Sequence, residues 1–280
     1  MEDHTKLSIQ VSLNGLSFCV LDTAANTVLK AEKAVFAKKL TPYSLLKRLN
    51  SFFSEHAIQL SQFSEVVAVH RNNLFGLVPA PLFDTGELAN YLKFNTKLLA
   101  NDHMAFDALK GHDMVNVYVP FVNVNNYIYE RFGAFTFKHS ATVMLESLLN
   151  AAPGVFRPDE EVSADNAGNS GKRPVCYVHI FEQQMDIAVI AQKKLLLFNS
   201  FDFVTKEDFL YYLLFTMEQL QLDTDSVPVG LFGDVEEGDD LYGLCYRYVL
   251  DVAVFAPHFF DRGFGDTSEG LPDFTVLNAL

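Results

Sequence analysis

The stretch LSIQVSLNGLSFCVLD (Leu7–Asp22) decides the fold. Leu7, Ile9, Val11 and Leu13 alternate with polar residues, the period of a strand with one apolar face. Asn14-Gly15 interrupts the pattern, a dipeptide expected to supply the positive φ values of a two-residue hairpin, and Leu16–Asp22 reads as the returning strand. Thr27–Phe36 is a third strand of weaker alternation. Thr41 is placed to cap a helix, and Pro42 suits its first position because a missing N–H costs nothing there. Leu45, Leu46, Leu49, Phe52, Phe53 and Leu60 recur mostly at three- and four-residue steps, which makes one buried helical face. Glu65–His70 closes the series as a short apolar strand.

The second half of the chain repeats that order. Val175–Phe181, Met185–Ala191 and Lys194–Phe201 read as three strands. Thr205 starts a helix with Asp208 three residues on, a capping box with Asp in place of the longer Glu. Phe209, Leu210, Leu213, Leu214, Met217 and Leu220 form its apolar face, and Val227–Phe232 is the closing strand. Cap and closing strand are 25 residues apart in the first half (Thr41 to Val66) and 22 in the second (Thr205 to Val227). Residue identity between the halves is negligible, so what recurs is an order of elements. The expectation is an α/β protein with two duplicated strand-strand-strand-helix-strand domains, at 1–150 and 174–280. The Gly-, Pro- and Asn-containing segment 151–173 reads as a loop or linker between them and a candidate for disorder. Asp84–Asn95 and Ala141–Asn150 look helical, and Met114–Val119 and Phe135–His139 look like strands. From Pro257 onward no periodicity is clear.

Composition narrows the function classes. Of 280 residues 49% are hydrophobic, far above the range of disordered chains. Thirty-five acids against 21 bases give a net charge of −14, which argues against a nucleic-acid binder relying on a broad basic surface. Cys19, Cys176 and Cys245 each sit in an apolar segment and read as buried thiols in a reducing cytoplasm. The first twenty residues lack the pattern of a secretory signal. The uncharged run Met114–Tyr129 is interrupted by Asn116, Asn123, Asn125 and Asn126, so no membrane span is expected. Asp102, His103, Asp107, His112 and Asp113 cluster in sequence, but their spacing fits no compact metal-ligand template, and no metal is expected. The acidic runs Asp159-Glu160-Glu161 and Asp234–Asp240 miss the register of a calcium loop and read as solvated. Two-metal nuclease chemistry needs a carboxylate on the first strand, and Leu7–Leu13 has none.

A three-stranded meander followed by helix and strand, occurring twice, resembles the actin-like ATPase (ribonuclease H-like) fold. The Leu7–Asp22 hairpin, Tyr91-Leu92-Lys93-Phe94-Asn95, Val115–Pro120 and the Asp186–Gly233 block are also similar to an uncharacterised Bacteroidetes family, domain of unknown function 3822. That resemblance implies a bacterial protein and a fold, and no activity. The actin-like resemblance implies nucleotide held between the halves by Asp- and Gly-bearing loops. The first such loop is Ser12–Ser17, where Asn14 and Gly15 stand without an Asp. The second is Phe181–Met185, where Gln183 stands and no Gly does. The adenosine loop follows the last strand, where Gly233 is present but Asp234 replaces the expected second Gly among five acids. Asn14, Gly15, Gln183 and Gly233 are therefore candidate cofactor-binding positions of a degenerate ATP/Mg site, with no cofactor expected. The reading that follows is a catalytically inactive actin-like binding or scaffold module with a protein partner. The alternatives are a divergent ATP-dependent phosphotransferase and a small-ligand sensor.

Overall fold

The computed structural model describes residues 4–58, 63–151, 173–255, 263–264 (backbone only) and 273–280. The chain divides into two compact units, Met1–Glu146 with Asp261–Leu280, and Ser147–Phe260.

Unit 1 opens with β1 (Thr5–Val11), β2 (Gly15–Asp22), β3 (Thr27–Val35), α1 (Pro42–Glu55) and β4 (Glu65–His70). An insertion follows: β5 (Phe75–Pro79), two single 3-10 turns, α2 (Leu88–Leu92), β6 (Ala105–Ala108) and β7 (Met114–Tyr118). Then come α3 (Val122–Phe132), β8 (Thr136–His139) and α4 (Ser140–Asn150). Unit 2 contains β9 (Val175–Phe181), β10 (Gln184–Ala191), β11 (Lys194–Asp202), α5 (Lys206–Gln219), β12 (Val229–Gly233), α6 (Asp240–Cys245) and β13 (Val252–Val254). The chain ends with β14 (Gly263–Phe264) and α7 (Phe274–Asn278).

The sheet of unit 1 has the order β14-β3-β2-β1-β4-β8, and that of unit 2 the order β11-β10-β9-β12-β13. In both, the first three strands are an antiparallel meander and the fourth lies parallel to the first. The inserted strands make a separate antiparallel sheet, β5-β7-β6. The same five elements, in the same order and pairing, thus build both sheets.

The helix starts follow from their caps. Thr41 accepts a hydrogen bond from Ser44 N and precedes Pro42 at the first helical position. At Thr205 the reciprocal box is complete: Asp208 N donates to Thr205 Oγ1, and Thr205 N donates to Asp208 Oδ2. Each helix then lays its apolar face on one side of its sheet. In unit 1, Leu45, Leu49, Phe52 and Phe53 of α1 pack with Leu7, Ile9 and Val11 of β1 and Val124 and Ile128 of α3. In unit 2, Phe209, Leu213 and Met217 of α5 pack with Val178, Ile180, Met185 and Ile187. Full burial of each such side chain contributes about 1.5–3 kcal/mol.

Several expectations are corrected. The end of the chain does not belong wholly to the second unit: Asp261–Leu280 groups with unit 1, where α7 packs on β1 and β2 and Ser8 Oγ donates to Val276 O. Asp84–Asn95 is helical only over Leu88–Leu92, after a 3-10 turn at Thr85–Glu87, because Asp84 caps the Gly86 amide instead of starting a long helix. Beyond Phe121, where no element was expected, the chain forms a helix, α3, since Val124 and Ile128 sit one turn apart on the core. All but the first and last residue of the expected linker 151–173 lie outside the described residues.

Candidate functional site

The Ser12–Ser17 connection is not the expected hairpin turn. Val11 pairs with Leu16, leaving four residues between them, and neither Asn14 nor Gly15 takes a positive φ. The loop closes on a side chain instead. Ser12 Oγ accepts from Asn14 N at 3.1 Å and from Gly15 N at 2.9 Å, while Ser12 N donates to Gly15 O. The loop carbonyls are also held, because Phe36 N donates to Asn14 O at 2.9 Å and Leu40 N to Leu13 O at 2.7 Å. These anchors require a wider loop than a two-residue turn. The positive-φ hairpin is elsewhere: Gln192 and Lys193, both at positive φ, join β10 to β11.

The equivalent connection of unit 2 is the two-residue loop Glu182-Gln183 between the paired Phe181 and Gln184. Glu182 carries φ +57°, a place that Gly usually fills. Its amide donates to Asp234 Oδ2 at 2.7 Å, and Gln183 O accepts from Phe203 N. Gly233 ends β12 at φ +92°, and a Cβ there would stand 2.1 Å from Ile180 O and 2.9 Å from His179 Cδ2. The glycine is therefore required by its own strand neighbour. The acids after it are engaged locally: Asp239 Oδ2 accepts from Glu236 N, and Asp240 pairs with Lys206 at 2.7 Å, whose ammonium holds the Asp240 carboxyl below the usual range.

In each unit, then, amides at the end of the first strand are directed at the protein's own oxygen. A loop that wraps phosphate offers such N–H groups to the ligand. Here Ser12 Oγ takes two of them in unit 1, and the Asp234 carboxylate takes one in unit 2. Asn14 and Gly15 share one loop. Gln183 and Gly233 belong to adjoining strand ends of unit 2.

Polar residues missed by sequence reasoning lie on the sheet faces opposite α1 and α5. Ser8 and Gln10 on β1 and Ser17 on β2 are buried, as is Thr275 on α7, which covers that face. Gln10 and Ser17 are cross-strand neighbours, and among the described residues neither their side chains nor the Thr275 hydroxyl has a hydrogen-bond partner. In unit 2 the same face carries His179 and Asp186, also cross-strand neighbours, with Nδ1 and Oδ2 3.8 Å apart. His179 stacks on Phe232. The signal was present as polar residues alternating with apolar ones, which alone reads as a solvent-facing side.

His70, at the end of β4, is a structural histidine. Its Nδ1 accepts from Phe121 N and its Nε2 donates to Asn125 Oδ1, so the ring is neutral, and burial lowers its pKa to about 4. The Asp and His cluster of the insertion disperses. Asp107 accepts from Tyr118 Oη, from Thr142 Oγ1 and from His139 N, which ties β6 to the start of α4. Burial raises its pKa despite those bonds. Asp102 accepts from Leu99 N. Among the described residues no group of three or more His, Cys, Asp or Glu is placed to hold a metal ion. All three cysteines are buried, and burial pushes the Cys176 and Cys245 thiols up to about 12, far from a reactive thiolate. Among the described residues no helix is long and apolar enough to cross a membrane.

Comparison with known proteins agrees with this architecture. The family model "Protein of unknown function (DUF3822)" matches residues 2–252. A solved protein of actin-like ATPase fold and unknown function from Bacteroides thetaiotaomicron is similar at TM-score 0.71 and 20% identity, over 91% of each chain. The PilM–PilN type IV pilus biogenesis complex contains a chain similar at TM-score 0.59 and 11% identity, over 98% of this chain and 97% of that one. No curated protein matches the sequence. The chain belongs to the family of proteins of unknown function DUF3822 and has the actin-like ATPase fold.

Proposed function

We propose that this protein is a catalytically inactive member of the actin-like fold that acts in the cytoplasm as a binding or scaffold module for a protein partner. The observation that carries this reading is the closure of both first-hairpin loops by the chain's own oxygens, Ser12 Oγ in unit 1 and the Asp234 carboxylate in unit 2. A triphosphate approaching the second loop would meet Asp234 where a backbone amide is needed, and like charges repel most strongly where water is excluded. The recurrence of one strand order in both units supports an origin by internal duplication, with the loops diverging after it. The similarity to a chain of the PilM–PilN complex supports a protein partner for a module of this fold.

The test is an ATPase assay on the full chain with Mg2+ and with Mn2+. The expected result is phosphate release indistinguishable from buffer. Turnover that is lost on replacing Gln183 or Asn14 would overturn the inactive reading and restore those residues as cofactor ligands.

A further inference from the structure

We infer that an open groove between β3 and α1 in unit 1 is a docking surface for an acidic, partly apolar peptide segment of a partner protein. The groove has a volume of about 470 Å3 and is lined by the apolar Val35, Phe36 and Leu40 and the basic Lys38, Lys47 and Arg48. It lies in the most basic part of an otherwise acidic chain. Six of the 21 Lys and Arg residues fall between Lys30 and Arg48, where Glu32 is the single acid. Arg48 is partly neutralised by Glu55 at 2.7 Å, on the same helix. Lys47 stands over the Tyr43 ring with Nζ 4.7 Å from its centroid. Large apolar side chains are bare beside these charges: Val35 is 61% exposed and Tyr43 68%. Cations next to exposed aromatic and aliphatic surface match a segment that alternates carboxylates with apolar side chains.

A peptide fits better than a nucleic acid. A phosphate backbone would be repelled by the remainder of a chain whose net charge is −14, and its affinity depends on many cations at once. A short acidic segment needs only the local field, which beyond about 10 Å is screened at ordinary salt. The exposed patch Val35–Tyr43 would also be buried by apolar side chains of such a segment, which a sugar-phosphate chain lacks. This inference rests on the proposed role as a binding module and names the surface that role uses.

The test measures fluorescence anisotropy of labelled peptides on the full chain: one of alternating Glu and Leu, one with Gln for Glu, and one with Lys for Glu. A single-stranded oligothymidine is the fourth probe. The Glu peptide is expected to bind saturably. It should lose about tenfold in affinity in the Lys38→Glu/Lys47→Glu variant, and weaken as salt is raised, with the melting temperature of the variant unchanged. Both substituted side chains are exposed, so folding is retained. Absence of saturable binding, equal binding of the Gln peptide, tighter binding of the oligonucleotide, or an unaffected variant would each overturn the assignment. ATP turnover in the same preparation would overturn the inactive reading and leave the groove standing. Failure of the peptide without turnover removes the groove alone.

Discussion

Unit 1 closes its first-hairpin loop with the hydroxyl of Ser12, whereas unit 2 closes the matching loop with the carboxylate of Asp234, a residue beyond the fourth strand. The fourth strands differ in the same place. In unit 1, β4 ends at His70, whose neutral ring is bonded to Phe121 and Asn125 of the α3 region. In unit 2, β12 ends at Gly233, pressed against the backbone of β9. The first four strands of each unit share order and pairing, and in each unit the helix between the third and fourth strands packs on the sheet. A fold of this kind fixes where its loops emerge and leaves their chemistry open. Here two different local solutions close the loop after the first strand.

Substitutions separate the two solutions. The largest effect is expected at Gly233→Ala, since a Cβ 2.1 Å from Ile180 O forces the end of β12 away from β9, on top of the strain of φ +92°. The expected loss of stability is about 3 kcal/mol, read by chemical denaturation and confined to unit 2 by hydrogen exchange. Unit 1 has His70 in place of a glycine at the matching strand end, so no substitution there has that cause of damage.

Acid should act on the other side of the comparison. Folded His70 titrates at about 4, whereas in the unfolded chain it takes a proton near pH 6.5. Its contribution is fully present above pH 6.5 and is lost as pH falls toward 4, because only the unfolded state binds the proton. The slope is about 1.4 kcal/mol per pH unit, so roughly 2 kcal/mol is lost by pH 5. Urea denaturation at pH 7 and pH 5 checks this. His70→Gln should show a flatter pH dependence, and an equal slope in that variant would remove His70 as its source.

The helix caps give a smaller contrast. Thr205→Ala breaks a reciprocal box and should cost about 1–1.5 kcal/mol, whereas Thr41→Ala loses a one-way cap and should cost about 0.5–1 kcal/mol. Equal losses would mean that the Thr205 Oγ1 half of the box contributes no more than the one-way cap at Thr41. The smallest effect is expected at Ser17→Ala, below about 0.5 kcal/mol, because that hydroxyl has no partner among the described residues. A loss near 2 kcal/mol by calorimetry would instead show that Ser17 bonds to water or to a ligand.

Much of the architecture was legible because the signals are local. The alternation of Leu7–Val11, the Thr41-Pro42 start and the Thr205–Asp208 box each act within a few residues, and the structure carries all three. Asn14-Gly15 misled because its conformation is set from outside: Phe36 and Leu40 hold the loop carbonyls, and no local propensity encodes that. The burial of the polar side of β1 was not legible for a similar reason: the helix that covers Ser8 and Gln10 begins at Phe274, far along the chain. Of the candidate loops, the absence of an Asp from Ser12–Ser17 and of a Gly from Phe181–Met185 was readable from residue types alone. The acceptors that close the loops were not, since Glu182 and Asp234 meet only through the parallel pairing of β9 with β12.

The claim that both loops are closed to phosphate is tested most directly by isothermal titration calorimetry of the full chain with Mg·ATP. The account predicts no saturable heat up to millimolar nucleotide, for the wild-type protein and for Asn14→Ala alike. Saturable micromolar binding that is weakened by Asn14→Ala or Gln183→Ala would contradict it.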